Sequence, residues 1–210
     1  YLPIGVDPHP WLGDEIREIR QQYPDKKILF NIGRLVSYKG YQYLIEAMVH
    51  LPQEYVLLIG GKGPLRKELQ ELIDRLGLQE RVKLLGFISD SLKPAYFGAC
   101  DVFCLSSTLK TEAYAIVQVE AMSLGRPIVA TEIPGSGVAW VNAHQESGLN
   151  VPIEDAQALA QAIQKICQDP ELWSTYSKGS RQRFFEVFTK DEMINQLIRI
   201  YTELLHPTTP

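Results

Sequence analysis

The stretch VFCLSSTLKTEAYAIVQVEAMSLGRPIVA, residues 102–130, decides the fold of this chain. It opens with a continuous apolar run, 102–105, and closes with another, 127–130. Between them, a polar loop leads into an apolar-rich segment that ends near Gly125, as a helix does. Short apolar strands on either side of a helix are typical of a parallel sheet covered on both faces. The stretch therefore predicts one strand, helix and strand unit.

The same alternation extends toward the start of the chain. Apolar runs predict strands at 28–32, 55–59 and 82–85, and amphipathic spacing predicts helices at 41–49, 65–76 and 92–100. We therefore predict an α/β fold with a Rossmann-like, doubly wound parallel sheet flanked by helices. The run 127–130 is the last predicted strand. Beyond Gly148 we expect only helices, at 155–163, 171–187 and 191–205.

Composition narrows the class of protein. The chain has 210 residues, 45% of them hydrophobic and 22% charged, which suits one globular domain. A net charge of -4 argues against a nucleic-acid partner. Three cysteines in apolar contexts indicate buried thiols in a reducing compartment, so we expect a cytoplasmic protein without disulfides or zinc. No apolar run is long enough to span a bilayer, which leaves a peripheral membrane contact open.

Cationic residues follow the first predicted strand. In such a sheet the ligand lies outside the carboxyl ends of the strands. Gly33 and Arg34 follow the first strand directly and Lys39 comes five residues later, which places two cations beside flexible backbone. This arrangement suits a phosphate. The alternative is that both are ordinary solvated loop charges.

Glycines and a ring follow the next two strands. Gly61 and Gly63 would let the backbone approach a ligand, although a tight turn explains them equally. Phe87 and Ile88 follow the third strand and could bring a ring and main chain to a nucleobase, or Phe87 could belong to the core.

Two acids lie eight residues apart in the opening stretch. If every step between Glu112 and Glu120 were helical, the carboxylates would stand about 12 Å apart, close to the span from a hexose across a diphosphate to a ribose. The alternative is a solvated helix surface. His144 and Glu146 are predicted to be surface residues without an acid–base role. Helical spacing favours core packing over a carbohydrate platform for five aromatic residues, namely Trp173, Tyr176, Phe184, Phe185 and Phe188.

Taken in order, these motifs resemble the C-terminal, nucleotide-sugar-binding half of the retaining GT-B glycosyltransferases of group 4. The resemblance rests on the opening 2–7, the segment 33–40, the Gly-x-Gly-Pro turn at 61–64 and the Glu-x7-Glu spacing. Residues 135–142 and 147–152 look like those of bacterial polysaccharide or O-antigen transferases.

The resemblance implies a role for each motif residue. Arg34 and Lys39 would bind the donor diphosphate, Glu112 would contact the transferred sugar, and Glu120 would accept hydrogen bonds from the ribose. Main-chain N–H groups at Tyr114, Ala115 and Ile116 would add donors near a helix N-terminus. The family usually has Phe-Gly where this chain has Tyr114-Ala115, which puts the geometry of that turn in doubt.

The resemblance also implies a domain plan. Residues 1–8 would be a linker, 9–190 the donor-binding domain, and 191–210 a helix that crosses to a missing N-terminal half, followed by a tail. That half would bind the glycan or lipid-linked acceptor of a surface polysaccharide. The apolar face of the last helix would then be exposed and prone to self-association. We expect no cofactor and no required metal, since the chain has no Asp-x-Asp motif.

Two other functions share this architecture. An epimerase or phosphorylase half would use the same cleft differently, and a binding module would retain the fold without turnover. The expected function is retaining transfer of a hexose from a nucleoside diphosphate, and the isolated domain is expected to bind without catalysing.

Overall fold

A computed structural model describes residues 2–205, and within them six strands form one parallel sheet. Their order across the sheet is β3-β2-β1-β4-β5-β6, with β1 and β4 at the centre. The doubly wound prediction is confirmed. The strands are β1 Lys27–Ile32, β2 Tyr55–Gly60, β3 Val82–Gly86, β4 Val102–Leu105, β5 Ile128–Glu132 and β6 Gly148–Pro152.

Helices cover both faces of the sheet. They are α1 Gly13–Gln21, α2 Tyr41–His50, α3 Arg66–Arg75, α4 Lys93–Ala99, α5 Ile116–Ser123, α6 Val138–Val141, α7 Ala156–Gln168, α8 Pro170–Arg183 and α9 Lys190–Leu205. A 3₁₀ turn spans Ser37–Lys39, and a π-helical turn, Phe184–Phe188, extends α8. The predicted tail at 206–210 lies outside the described residues.

The core forms two layers because successive strand residues point to opposite faces. Leu29 and Leu57 pack under α2, α3 and α7, whereas Phe30 and Leu58 pack under α1, α4 and α5. The strand interiors are buried on both sides, which explains why their sequences are continuously apolar. All three cysteines are buried and unpaired, as predicted.

The expectation of only helices beyond Gly148 was wrong. Residues 148–152 form β6, which pairs in parallel with β5 from Ile128–Gly148 to Glu132–Pro152. β6 lies at the edge of the sheet, where a strand tolerates Gly, Asn and Pro, so its sequence lacks a continuous apolar run. The short helices α1 and α6 were also not predicted.

The predicted aromatic core is confirmed for Tyr176, Phe184 and Phe188, which are buried. It is wrong for Phe185, which is 46% exposed, because consecutive residues of a helical turn point in different directions and Phe185 lies off the side that Phe184 and Phe188 bury. Within residues 2–205, no helix combines the length and the apolar character that crossing a membrane demands.

Candidate functional site

The loops after β1 and β2 pack tightly against each other at the carboxyl edge of the sheet. The N–H of Gly33 donates to the carbonyl of Gly60 at 3.1 Å, and the N–H of Leu35 donates to that of Lys62 at 3.0 Å. A Cβ at Gly61 would lie 1.8 Å from the Gly33 oxygen, and one at Gly63 would lie 2.3 Å from the Leu35 oxygen. These two glycines therefore serve the contact between the loops, whatever ligand they also approach.

The two predicted phosphate-binding cations lie in different environments. Arg34 is exposed, and its guanidinium has no ion-pair or hydrogen-bond partner among residues 2–205. Lys39 is nearly buried, and its Nζ lies 2.5 Å from Oε2 of Glu112. The turn that carries Lys39 is fixed from the β4 loop, because Ser106 Oγ donates to the Lys39 carbonyl at 3.0 Å.

Glu112 is held by several neighbours. Its side chain is 9% exposed, and Oε2 accepts hydrogen bonds from both Lys39 Nζ and, at 2.8 Å, Ser107 Oγ. Its carbonyl accepts from Ser136 Oγ, while the N–H of Gly137 donates to the carbonyl of Ala113 at 2.8 Å. Oε1 has no hydrogen-bond partner within the described part of the chain, so one oxygen of a rigidly held carboxylate remains available to a ligand.

Sequence reasoning did not identify Ser107 and Ser136. It noted a polar loop after residues 102–105, but nothing in the spacing distinguishes these two serines from their neighbours. Only the tertiary fold brings the β5 loop onto Glu112.

The turn before α5 is strained at one residue. Ala115 has φ 55° and ψ 69°, in the left-handed region that costs a residue with a Cβ about 1–2 kcal/mol. The helix begins only at Ile116, and within residues 2–205 no side chain caps its N-terminus. Its first N–H groups are therefore available to an anion. Because Glu112 precedes the helix, the 12 Å separation calculated for a continuous helix does not apply.

Glu120 lies one turn inside α5, on the same face as Ile116. A groove of about 450 Å³ lies beside this face, lined by residues 5–10, Ile116 and Lys190. His9 from this wall brings Nε2 to 3.6 Å from Oε1 of Glu120.

Phe87 and Ile88 differ in what they can offer a ligand. Phe87 is 70% exposed, with Nζ of Lys62 5.5 Å from its ring centre. The side chain of Ile88 is buried in the core, so only its main chain can reach a ligand.

Tyr114 forms part of a second cavity, of about 500 Å³. Its ring packs edge-on against Phe188 at 6.1 Å and lies 6.2 Å from that of Trp140. Burial raises the pKa of Tyr114 to about 12, so its hydroxyl is neutral at physiological pH. The wall is completed by residues 2, 3, 113 and 135–137.

His144 and Glu146 lie outside the site. Nδ1 of His144 accepts a hydrogen bond from the N–H of Asn150 at 2.9 Å, which joins the exposed loop before β6 to that strand. This contact agrees with the predicted surface role.

Comparison with known sequences finds one matching family and several related glycosyltransferases. The family described as "Glycosyl transferases group 1" matches residues 13–183. O-antigen chain mannosyltransferase C of Escherichia coli is 33% identical over 208 residues, covering 97% of this chain and 54% of the relative. D-rhamnosyltransferase WbpZ of Pseudomonas aeruginosa is 31% identical over 170 residues, covering 81% and 43%. The chain thus spans about half the length of the curated relatives it matches.

Comparison with solved structures supports the same architecture. Anabaena Alr3699/HepE in complex with UDP matches with a TM-score of 0.86 at 27% identity, over 95% of this chain and 56% of that protein. The complex of the same protein with UDP-glucose matches with a TM-score of 0.83, at the same identity and coverage.

Proposed function

Because the chain belongs to the group 1 glycosyl transferases, we propose that it is the nucleotide-sugar-binding domain of a longer, retaining hexosyltransferase. Its fold is one half of the GT-B architecture. The donor lies along the carboxyl edge of the sheet. The acceptor is a glycan or a lipid-linked sugar of a surface polysaccharide, held by a second domain.

The arrangement of Lys39, Ser107 and Glu112 carries this proposal. It offers one cation and one carboxylate oxygen in fixed positions, next to a helix N-terminus without a side-chain cap. Breaking the anomeric bond develops positive charge on the sugar and negative charge on the departing diphosphate. Groups that are already fixed stabilise that charge separation without reorganising.

Each part of the donor has a matching group. Arg34, Lys39 and the first N–H groups of α5 hold the diphosphate. Oε1 of Glu112 accepts a hydroxyl of the transferred sugar, and Glu120 accepts hydroxyls of the ribose. Phe87 and the main chain of Ile88 meet the base. The transfer needs no metal, since these cations and N–H groups neutralise the leaving group.

The surroundings of the site fit a two-domain enzyme. The apolar face of α9 is exposed, which suits a helix that packs on another domain. The longer protein would also contact a membrane peripherally, because a lipid-linked acceptor lies there.

Two other functions are compatible with the same fold. An epimerase or phosphorylase half would bind the same donor, and a binding module would bind it without turnover. The transferase names of the relatives favour transfer. A sugar phosphate that forms only when inorganic phosphate is added would instead identify a phosphorylase.

The test is calorimetric titration of the purified chain with UDP, GDP and ADP, with and without EDTA. We expect saturable binding of one nucleotide, unchanged by EDTA and weakened about tenfold or more by Arg34→Ala or Glu120→Gln. Lys67→Ala on the exposed side of α3 is the matched control and should change nothing. No binding by the folded chain, or equal losses in the control, would contradict the proposal.

A further inference from the structure

His9 is fixed between two elements of the domain. Its ring stacks on Phe97 with centroids 5.7 Å apart and planes 21° apart. Its main-chain N–H donates to Ser123 Oγ at 3.3 Å, and that hydroxyl donates to the carbonyl of Glu120 at 2.7 Å. The ring edge therefore has little freedom to turn away from Glu120.

The Nε2 atom of His9 is buried but lacks a hydrogen-bond partner among residues 2–205. Oε1 of Glu120 lies 3.6 Å from this nitrogen, which is beyond hydrogen-bond distance. Leaving a buried ring nitrogen unsatisfied is unfavourable. A shift of the Glu120 carboxylate by less than about 1 Å would satisfy it.

A nucleotide bound beside the groove, as the proposed function requires, would cause that shift. The groove borders Ile116 at the start of α5, and residues 5–10 form its other wall. A nucleotide with phosphate at the start of α5 reaches Glu120 one helical turn later, about 6 Å along the axis. That is the position of a ribose, whose two hydroxyls donate to a carboxylate.

We propose that His9 is a positioning residue for nucleotide binding: its Nε2–H donates to Oε1 of Glu120 and thereby holds Oε2 toward the ribose diol. His9 itself touches no atom of the nucleotide. This inference rests on the proposed function, since it requires Glu120 to bind a ribose.

The position of His9 has a consequence for coupling. The segment that carries it is bound to the start of α9, because the N–H of Val6 donates to the carbonyl of Phe188 at 2.8 Å and Asp7 pairs with Lys190. Nucleotide binding at Glu120 is therefore linked to the position of residues 5–9. The coupling is reciprocal. The factor by which a bound nucleotide favours this position of the segment is also the factor by which displacing the segment weakens nucleotide binding.

The test compares a ribonucleotide with its 2′,3′-dideoxy analogue by calorimetry. The probe is the tighter-binding of UDP and GDP. His9→Phe retains the aromatic stack on Phe97 and removes the ring nitrogens. We expect it to weaken the ribonucleotide about tenfold and to leave the affinity for the dideoxy analogue unchanged. His9→Gln, which restores a side-chain N–H donor, should recover part of the loss.

Equal losses for both nucleotides would overturn the inference, because a structural defect would not distinguish them. His50→Phe, at the exposed end of α2, is the matched control. If Glu120→Gln weakens the ribonucleotide and His9→Phe does not, the inference alone fails. If neither UDP nor GDP binds the folded chain, or if binding does not depend on Glu120, the proposed function fails and the inference with it.

Discussion

Ala115 shows how one side chain can strain a functional turn. Its backbone is left-handed directly before α5, a conformation that glycine adopts without penalty. The sequence alone singled out this position, because the resembled family has glycine there. The residue type indicated strain, and the fold shows that the turn keeps its left-handed form despite the added Cβ.

Replacing Ala115 with glycine should stabilise the domain. We expect Ala115→Gly to raise the free energy of unfolding by about 1 kcal/mol, since relief of the positive φ exceeds the added entropy of the unfolded chain. Denaturant titration measures it. Ala158→Gly, in the first turn of α7 where φ is negative, should instead lower stability by about 0.5–1 kcal/mol. A loss for both variants would contradict the strain argument.

Lys39 and Glu112 depend on each other when no ligand is bound. Because both side chains are nearly buried, Lys39→Ala leaves a buried carboxylate without its cation and should cost about 3 kcal/mol of unfolding free energy. The double variant Lys39→Met/Glu112→Gln removes both charges and should lose less than the single one. Denaturant titration of the unmodified chain and the two variants decides the matter, and a double variant as destabilised as Lys39→Ala would contradict the dependence.

At the scale of elements, apolar periodicity predicted the sheet wherever strands are buried on both faces. β1, β2 and β4 are such strands, and their positions were correct to within a residue at most ends. β6 was not predicted, because an edge strand needs no apolar run and Gly148 and Pro152 are residue types common in loops. The candidate site divides in a similar way. The charged residues that follow buried strands were named from the sequence, whereas Ser107 and Ser136 reach Glu112 through contacts between loops, which no local sequence pattern indicates.

Helix α9 has no buried residue within its described length, 190–205. Ile198 and Tyr201 are both 58% exposed, and Ile194 lies on the same side. The self-association predicted from this face stays a prediction. Light scattering should show a mass that rises with concentration, and Ile198→Glu should restore a monomer, since a charge opposes burial. A concentration-independent monomer mass for the unmodified chain would count against it.

For the whole molecule, buried tyrosines and thiols set the alkaline limit of stability. Burial raises the pKa of Tyr41 well above its ordinary value of 10.0, with Glu112 and Tyr38 adding to the effect. Burial likewise raises the pKa of Cys100 and Cys167 to about 12. The folded chain therefore holds protons that the unfolded chain has already released, and its stability must fall as pH rises above about 9.

Tyr41→Phe should flatten that alkaline decline. Removing one retained proton reduces the slope by about 1.4 kcal/mol per pH unit between pH 10 and the raised pKa. At pH 7 the variant should be about as stable as the unmodified chain, because the Tyr41 hydroxyl is buried without a hydrogen-bond partner in the described residues. Denaturant titrations from pH 7 to 12 test both statements. An unchanged slope would show that Tyr41 ionises in the folded state.

The pairing of Val6 with Thr189 has an evolutionary consequence. The segments that lead into and out of the sheet domain run side by side. A unit with adjacent entry and exit can be transplanted between proteins with little cost in loop closure. Recombination can therefore exchange such a unit without reshaping the protein that receives it.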